Sequence, residues 1–175
     1  MSSDHRHTGL AAIRFLAQFH RESQLRPRPA GLPFNRRRHG SDSGRSAVHI
    51  EGLGIGIGFD HCLSQPHFFP GQVTPSEGGV AIGYVQATVL PDAAALVAYE
   101  FNSAWWGRGL ANEAVAAAMR ELRQHLGVTR FGAVFKTANE RSRRLLARLG
   151  MCPALGGQFP SALVEAGESA MAMGL

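Results

Sequence analysis

The stretch Trp105-Trp106-Gly107-Arg108-Gly109-Leu110-Ala111-Asn112-Glu113-Ala114 decides how the chain is read. It joins Ala94 to Phe101, with the composition of a strand, to Leu110 to Leu126, with the periodicity of an amphipathic helix. Two glycines bracket an arginine at the junction. Glycine lets a backbone approach a ligand closely and adopt dihedrals that other residues resist. The first N–H groups of a helix have no internal acceptor, and the helix dipole adds positive charge there. A glycine-rich loop feeding a helix N-terminus is therefore an anion site, above all for phosphates. Gly-x-Gly taken alone reads equally well as a tight turn.

Downstream the text stays regular. Leu110, Ala114, Ala118, Leu122 and Leu126 form one stripe, with Ala111, Val115 and Met119 beside it, and Gly127 stops the helix. Thr129 to Lys136 reads as a strand. Thr137 or Asn139 caps a second helix, Glu140 to Leu149, with Leu145, Leu146 and Leu149 apolar. Ser169 to Met173 reads as a terminal strand. Before the loop, Gly79 to Phe101 reads as a β-hairpin turning at Pro91-Asp92. On its second strand Leu96, Ala98 and Glu100 face one way, and Val97, Tyr99 and Phe101 the other. The order strand, strand, helix, strand, helix, strand implies an α/β or α+β domain with helices on a mixed sheet.

Residues 1–78 read as an atypical, partly disordered segment and 79–175 as the core. Gly9 to Gln24 has helical spacing. Pro27, Pro29, Pro33 and Arg36-Arg37-Arg38 then lead into a Gly/Ser/Asp cluster of loop character. Gly52 to Gly58 alternates glycine with apolar residues but lacks the G-x-G-x-x-G spacing, since Ile57 and Phe59 stand where the last glycine belongs. At 45% apolar and 18% charged, 175 residues suit one soluble domain without a membrane span. Cys62 and Cys152 have neither metal-ligand nor disulfide-framework spacing, so no metal is expected and a reducing cytoplasm is the default location. The net charge of +5 suits acidic partners, phosphate-bearing cofactors or nucleic acid, without choosing between them.

Ile82-Gly83-Tyr84, the stretch Trp106 to Ala114, Asn139-Glu140-Arg141-Ser142 and Leu145 to Met151 occur in this order. Together they closely resemble the C-terminal two-thirds of the GNAT superfamily of acetyl-CoA-dependent N-acetyltransferases, nearest the branch of ribosomal-protein N-terminal acetyltransferases. The resemblance covers about residues 79–175. It implies a mixed, mostly antiparallel sheet flanked by helices, of the acyl-CoA N-acyltransferase type, with an atypical or incomplete N-terminal part. In that family a loop written Q/R-x-x-G-x-G/A wraps the coenzyme A pyrophosphate, and its positions fall here on Trp106, Gly109 and Ala111. The cofactor set so implied is Tyr99 and Phe101 by their backbone, Trp106, Gly107, Arg108, Gly109, Leu110, Ala111 and Asn112 in the loop and helix start, and Asn139 on the pantetheine arm. Acetyl-CoA is the implied co-substrate, an amine the acceptor, and a homodimer is compatible with the family.

The implied reaction is attack of a neutral amine on a thioester carbonyl, which needs a donor for the oxyanion, a base for the ammonium proton and an acid for the thiolate. Glu100, alone on an apolar strand, is the candidate base, against the alternative of a partly exposed salt-bridging residue. Glu113 in the first helical turn favours the dipole and is not read as catalytic. Many family members carry a tyrosine in the second helix as the acid; here Leu145-Leu146 stand in that stretch, and Met151 replaces the usual phenylalanine. Either water protonates the thiolate or the chain is an impaired remnant that binds coenzyme A only. A basic nucleic-acid-binding module using Arg26, Arg28, Arg36, Arg37, Arg38 and Arg45 is the reading from another class, with no recognition strand or helix-turn-helix to support it. Residues 1–70 have the arginine, proline and glycine content of a GC-rich frame translated out of phase. The native N-terminus upstream of Gly79 is therefore expected to have been replaced. The other two reading frames upstream of Gly79 should hold acetyltransferase-like sequence; its absence there would overturn that expectation.

Overall fold

Seven strands and two helices carry the chain from Val48 to Met173 in a computed structural model that describes residues 47–51, 67–76, 79–156 and 159–174. The strands are β1 (Val48–Glu51), β2 (His67–Pro75), β3 (Gly83–Val89), β4 (Ala94–Phe101), β5 (Arg130–Lys136), β6 (Cys152–Pro153) and β7 (Glu168–Met173). The helices are α1 (Leu110–Leu126) and α2 (Glu140–Arg148). Among the described residues they form one sheet in the order β1-β2-β3-β4-β5-β7-β6. Every neighbouring pair is antiparallel except β4 and β5, which α1 connects as a crossover.

Both helices, the second hairpin strand and the later strands stand where the sequence puts them, to within a residue or two. The first hairpin strand begins later than expected, at Gly83 rather than Gly79. Gly79 has a φ of +116° and Val80 is exposed, while the Ile82 N–H already bonds the Val73 carbonyl at 2.9 Å. The sheet also reaches upstream of Gly79, because β2 pairs with β3 from His67↔Val89 to Val73↔Gly83. Its sequence hides this: Pro70 and Gly71 interrupt the β-forming pattern, and Pro70 is tolerated beyond the β1 pairing, which starts at Gln72. The helical spacing at Gly9 to Gln24, the basic loop after it and the Gly52 to Gly58 run lie outside the described residues.

The core sits between the sheet and α1. Ala114, Val115, Ala118, Met119 and Leu122 of α1 are buried with Val85, Val97, Phe131 and Leu146. Short alanine side chains let α1 lie close to the sheet, and each fully buried Leu or Val contributes roughly 1.5–3 kcal/mol by leaving water. Gly127 ends α1 in the left-handed region and returns its N–H to the Leu122 carbonyl.

The sheet splits part-way along its one parallel pairing. β4 and β5 pair only at Ala94↔Arg130, Ala95↔Phe131 and Leu96↔Gly132, and then diverge. β4 stays with β3 as far as Gly83↔Phe101, and β5 stays with β7 as far as Lys136↔Glu168. At the foot of this fork Gly132 has no room for a side chain, since a Cβ there would meet the Phe159 ring at 2.7 Å and Pro160 at 2.8 Å.

On the other side of β4, a Cβ on Gly83 would fall on the Glu100 carbonyl oxygen and lie 2.7 Å from the Phe101 ring. A backbone atom cannot step aside as a flexible side chain can. Gly83→Ala is therefore expected to destabilise the protein by about 1–3 kcal/mol, read as a lower urea midpoint; an unchanged midpoint would contradict the close approach of β3 and β4.

Candidate active site

The parity of the β3–β4 ladder decides what the fork exposes. The Leu90 N–H bonds the Ala94 carbonyl at 2.7 Å, and the Asn102 N–H bonds the Ile82 carbonyl at 2.8 Å. In the antiparallel register these fix the even-numbered residues of β4 as the ones bonded to β3. The N–H and C=O groups of Tyr99 and Phe101 therefore point towards β5, which has already turned away. The Phe101 carbonyl accepts from the Trp106 indole Nε1 at 2.8 Å. Among the described residues no strand supplies a partner for the Tyr99 and Phe101 N–H groups.

The loop after β4 is shaped in short steps. Asn102 caps a 3-10 turn, Ser103–Trp105, by accepting from the Ala104 N–H at 3.0 Å. Gly107 and Gly109 then take φ values of +78° and +80°, and a Cβ on either would point into open space. Gly109 is the N-cap of α1 and offers no side-chain cap. The first helical bond is Glu113 N–H to the Gly109 carbonyl at 3.1 Å, which leaves the N–H groups of Leu110, Ala111 and Asn112 without an acceptor inside the helix. Glu113 itself accepts from the Ala47 N–H at 2.7 Å, so its carboxylate ties β1 to α1 rather than entering the site.

A cleft of about 430 Å³ lies between this loop, the end of β4 and α2. Of the residues expected from sequence, Tyr99, Glu100, Phe101, Trp106 and Gly107 line it, as do Gly109, Leu110, Ala111, Asn112 and Asn139. Arg108 does not. Its guanidinium lies over the Trp105 ring, 4.8 Å from the centroid. Asn139 caps α2, its side-chain oxygen accepting from the Ser142 N–H at 3.1 Å, which leaves its amide NH₂ for another acceptor. Glu100 is exposed and accepts from the Tyr84 hydroxyl at 3.1 Å, its neighbour across the strand pair. Arg143 is turned from the cleft and ion-paired with Glu140 at 2.6 Å, and that pairing lowers the carboxyl and raises the guanidinium titration.

One wall of the cleft is not legible from sequence. Arg141, Ser142, Arg144, Leu145 and Arg148 of α2 line the cleft together with Trp105. Arg141 lies flat over Trp106, 4.2 Å from its centroid, and so links α2 to the loop. The signal is present as basic residues at i, i+3 and i+7 around Leu145, but such a stripe also describes an ordinary solvated helix face.

These features fit a phosphate-bearing, amide-rich ligand. Uncapped helix N–H groups donate at the positive end of α1, two glycines leave open space, three arginines supply positive charge, and the forked strand offers backbone donors. Asn112 adds a buried side-chain oxygen with no donor among the described residues. No group of three His, Cys, Asp or Glu side chains among the described residues can hold a metal ion. No helix among them is long and apolar enough to cross a membrane.

A family model of the acetyltransferase (GNAT) domain matches residues 59–152. The chain belongs to the GNAT acetyltransferase family. That match starts 20 residues before Gly79 and takes in β2, in keeping with the pairing of β2 along β3. Among solved structures, an acetyltransferase of the GNAT family from Bacillus anthracis is 18% identical and superposes with a TM-score of 0.51 over 59% of this chain and 64% of its own. RimL, the ribosomal L7/L12 alpha-N-protein acetyltransferase solved with coenzyme A, is 13% identical, with a TM-score of 0.51 over 61% of each chain. The ribosomal-protein-S5-alanine acetyltransferase from Vibrio fischeri is 24% identical over 60% of this chain and 59% of its own, with a TM-score of 0.47. The chain thus spans about three fifths of the length of these structures. No curated protein matches it.

Burial pushes the Tyr99 phenol above its usual value, and the Ser142 side chain pulls it part of the way back; the phenol donates to the Ser142 carbonyl at 3.5 Å. Because the folded value is raised, the stability held in the neutral phenol is complete below about pH 10 and is lost as pH rises through the higher folded value. With only two tyrosines in the chain, phenolate absorbance should show a late phase above pH 10 that Tyr99→Phe removes; a late phase that survives the substitution would contradict this placement.

Proposed function

We propose that the chain is an acetyl-CoA-dependent N-acetyltransferase that transfers the acetyl group to a primary amine of a small molecule or a protein N-terminus. The observation that carries this reading is the fork between β4 and β5, with the N–H groups of Tyr99 and Phe101 facing it beside an uncapped helix. Residues 79–175 form the greater part of the catalytic core in this reading, with β1 and β2 completing the sheet.

Each group in the cleft has a distinct task. The N–H groups of Leu110, Ala111 and Asn112, in the loop set by Gly107 and Gly109, hold the pyrophosphate at the positive end of α1. Tyr99 carries its strand C=O and N–H to the pantetheine amides, and the Asn139 NH₂ adds a second hold. The Phe101 N–H donates to the thioester carbonyl oxygen, where negative charge develops as the amine attacks. Glu100 takes the ammonium proton, directly or through water, and the Tyr84 hydroxyl keeps its carboxylate oriented. Bound acetyl-CoA supplies the activated acetyl group. The phenol in this cleft comes from β4, as Tyr99, rather than from the second helix. RimL was solved with coenzyme A, which agrees with a coenzyme site in this fold.

Isothermal titration with acetyl-CoA, followed by thiol release against a panel of primary amines, tests the proposal. Gly109→Glu, which sets a carboxylate where the pyrophosphate would lie, should weaken acetyl-CoA binding at least tenfold. Glu100→Gln should leave that binding unchanged and lower kcat by about a hundredfold, within the range for removing a general base. Unchanged affinity in the first variant or unchanged kcat in the second would overturn the role given to that residue.

A further inference from the structure

Trp106 stands where packing does not account for it. Its side chain is 48% exposed, whereas the apolar side chains that hold α1 to the sheet are buried. A phenylalanine would offer a similar aromatic face, so what sets tryptophan apart at this position is its ring N–H. That N–H is in use. The indole Nε1 reaches back five residues along the chain and donates to the Phe101 carbonyl at 2.8 Å. The Trp106 backbone N–H donates to the Ser103 carbonyl at 3.1 Å, so the turn between strand and glycine loop is closed by backbone and side chain together. The Arg141 guanidinium lies over the indole, 4.2 Å from its centroid. It fixes the plane of the ring, and a cation over the ring face draws electron density from it and strengthens its N–H as a donor.

The carbonyl so bonded belongs to the residue whose N–H faces the fork. In an extended strand the N–H and C=O of one residue leave on the same side. An oxygen that accepts from the Phe101 N–H therefore lies near the Phe101 carbonyl oxygen. Two acceptor oxygens so placed repel each other, and the repulsion grows as the incoming oxygen gains negative charge. The indole N–H offsets it by taking up the Phe101 carbonyl, which leaves the strand end a donor. The other end of the same peptide unit is held from β3, because the Asn102 N–H donates to the Ile82 carbonyl at 2.8 Å. The peptide plane after Phe101 is thus fixed at both ends.

We propose that Trp106 is a positioning residue for acetyl transfer, its indole N–H neutralising the Phe101 carbonyl so that the neighbouring Phe101 N–H stabilises the oxyanion. The proposal rests on the acetyl-CoA reading above and adds to it a side chain that acts through the strand backbone. Its effect is greatest when the acyl oxygen carries charge, and it vanishes for a ligand without an acyl oxygen.

Two changes in the full chain remove the N–H and keep an aromatic face for Arg141. One is Trp106→Phe. The other replaces Trp106 alone by benzothienylalanine, which keeps both fused rings and carries sulfur in place of the N–H. Three readouts apply to each: calorimetric affinity for coenzyme A and for acetyl-CoA, kcat by thiol release, and the infrared stretch of a carbon-13-labelled acetyl carbonyl in bound acetyl-CoA. The native protein should lower that stretch relative to free acetyl-CoA, and both variants should lose most of the shift. Their kcat should fall by roughly tenfold, the upper range for one neutral hydrogen bond. Affinity for coenzyme A, which has no acyl oxygen, should stay within about twofold of native. An unchanged stretch, an unchanged kcat, or equal weakening of coenzyme A and acetyl-CoA would each overturn the proposal and leave the coenzyme reading standing. If the native protein bound acetyl-CoA without turning it over, the infrared comparison alone would decide. If it did not bind acetyl-CoA, the role of Trp106 and the acetyl-CoA reading would fall together.

Discussion

The structure depends on the early end of one parallel strand pairing. β4 and β5 share three residue pairs and then separate, each held on its far side by an antiparallel partner. A buried strand edge with unmet N–H groups is normally avoided, because each such group costs about 1–3 kcal/mol. Here the edge is tolerated since it opens onto a cleft rather than into the core. The fork is kept open from both sides: Gly132 admits Phe159 and Pro160 at its foot, and the Trp106 indole holds the Phe101 carbonyl at its tip.

Around that gap the local chemistry is consistent. The hairpin fixes which β4 residues face β3 and so, by alternation, which face the gap. The 3-10 turn capped by Asn102 reverses the chain, and the two left-handed glycines aim the start of α1 back over it. The ladder of apolar residues along α1, from Ala114 to Leu122, then anchors that helix against the sheet and keeps its N-terminus in place. Sequence, turn chemistry and packing point to one arrangement, and the groups they leave unsatisfied gather in one cleft.

Much of this is legible in the sequence, for reasons that differ along the chain. The α1 stripe, with Gly127 at its end, and the alternation in β4 are strong periodic signals, and both elements begin and end as read. β2 is not legible, because Pro70 and Gly71 break its pattern and its partners are distant in sequence. The fork cannot be read at all, since nothing in β4 or β5 marks where a parallel pairing stops. Among site residues, the glycine loop and Asn139 can be found because their chemistry shows in their type and spacing. The family resemblance puts Arg108 among the loop's cofactor residues, whereas its side chain lies over the face of Trp105. The α2 arginines escape a sequence reading because a basic helix face has an ordinary explanation until a cleft is seen beside it.

Gly109 leaves the first turn of α1 open to a ligand. Its φ of +80° suits glycine and not the serine or aspartate that caps helices from the extended region, so α1 begins without a side-chain cap. The first N–H groups of α1 are then met by water or by whatever binds in the cleft. A ligand that accepts from those N–H groups adds to the stability of the start of α1, so binding and the stability of that turn are linked.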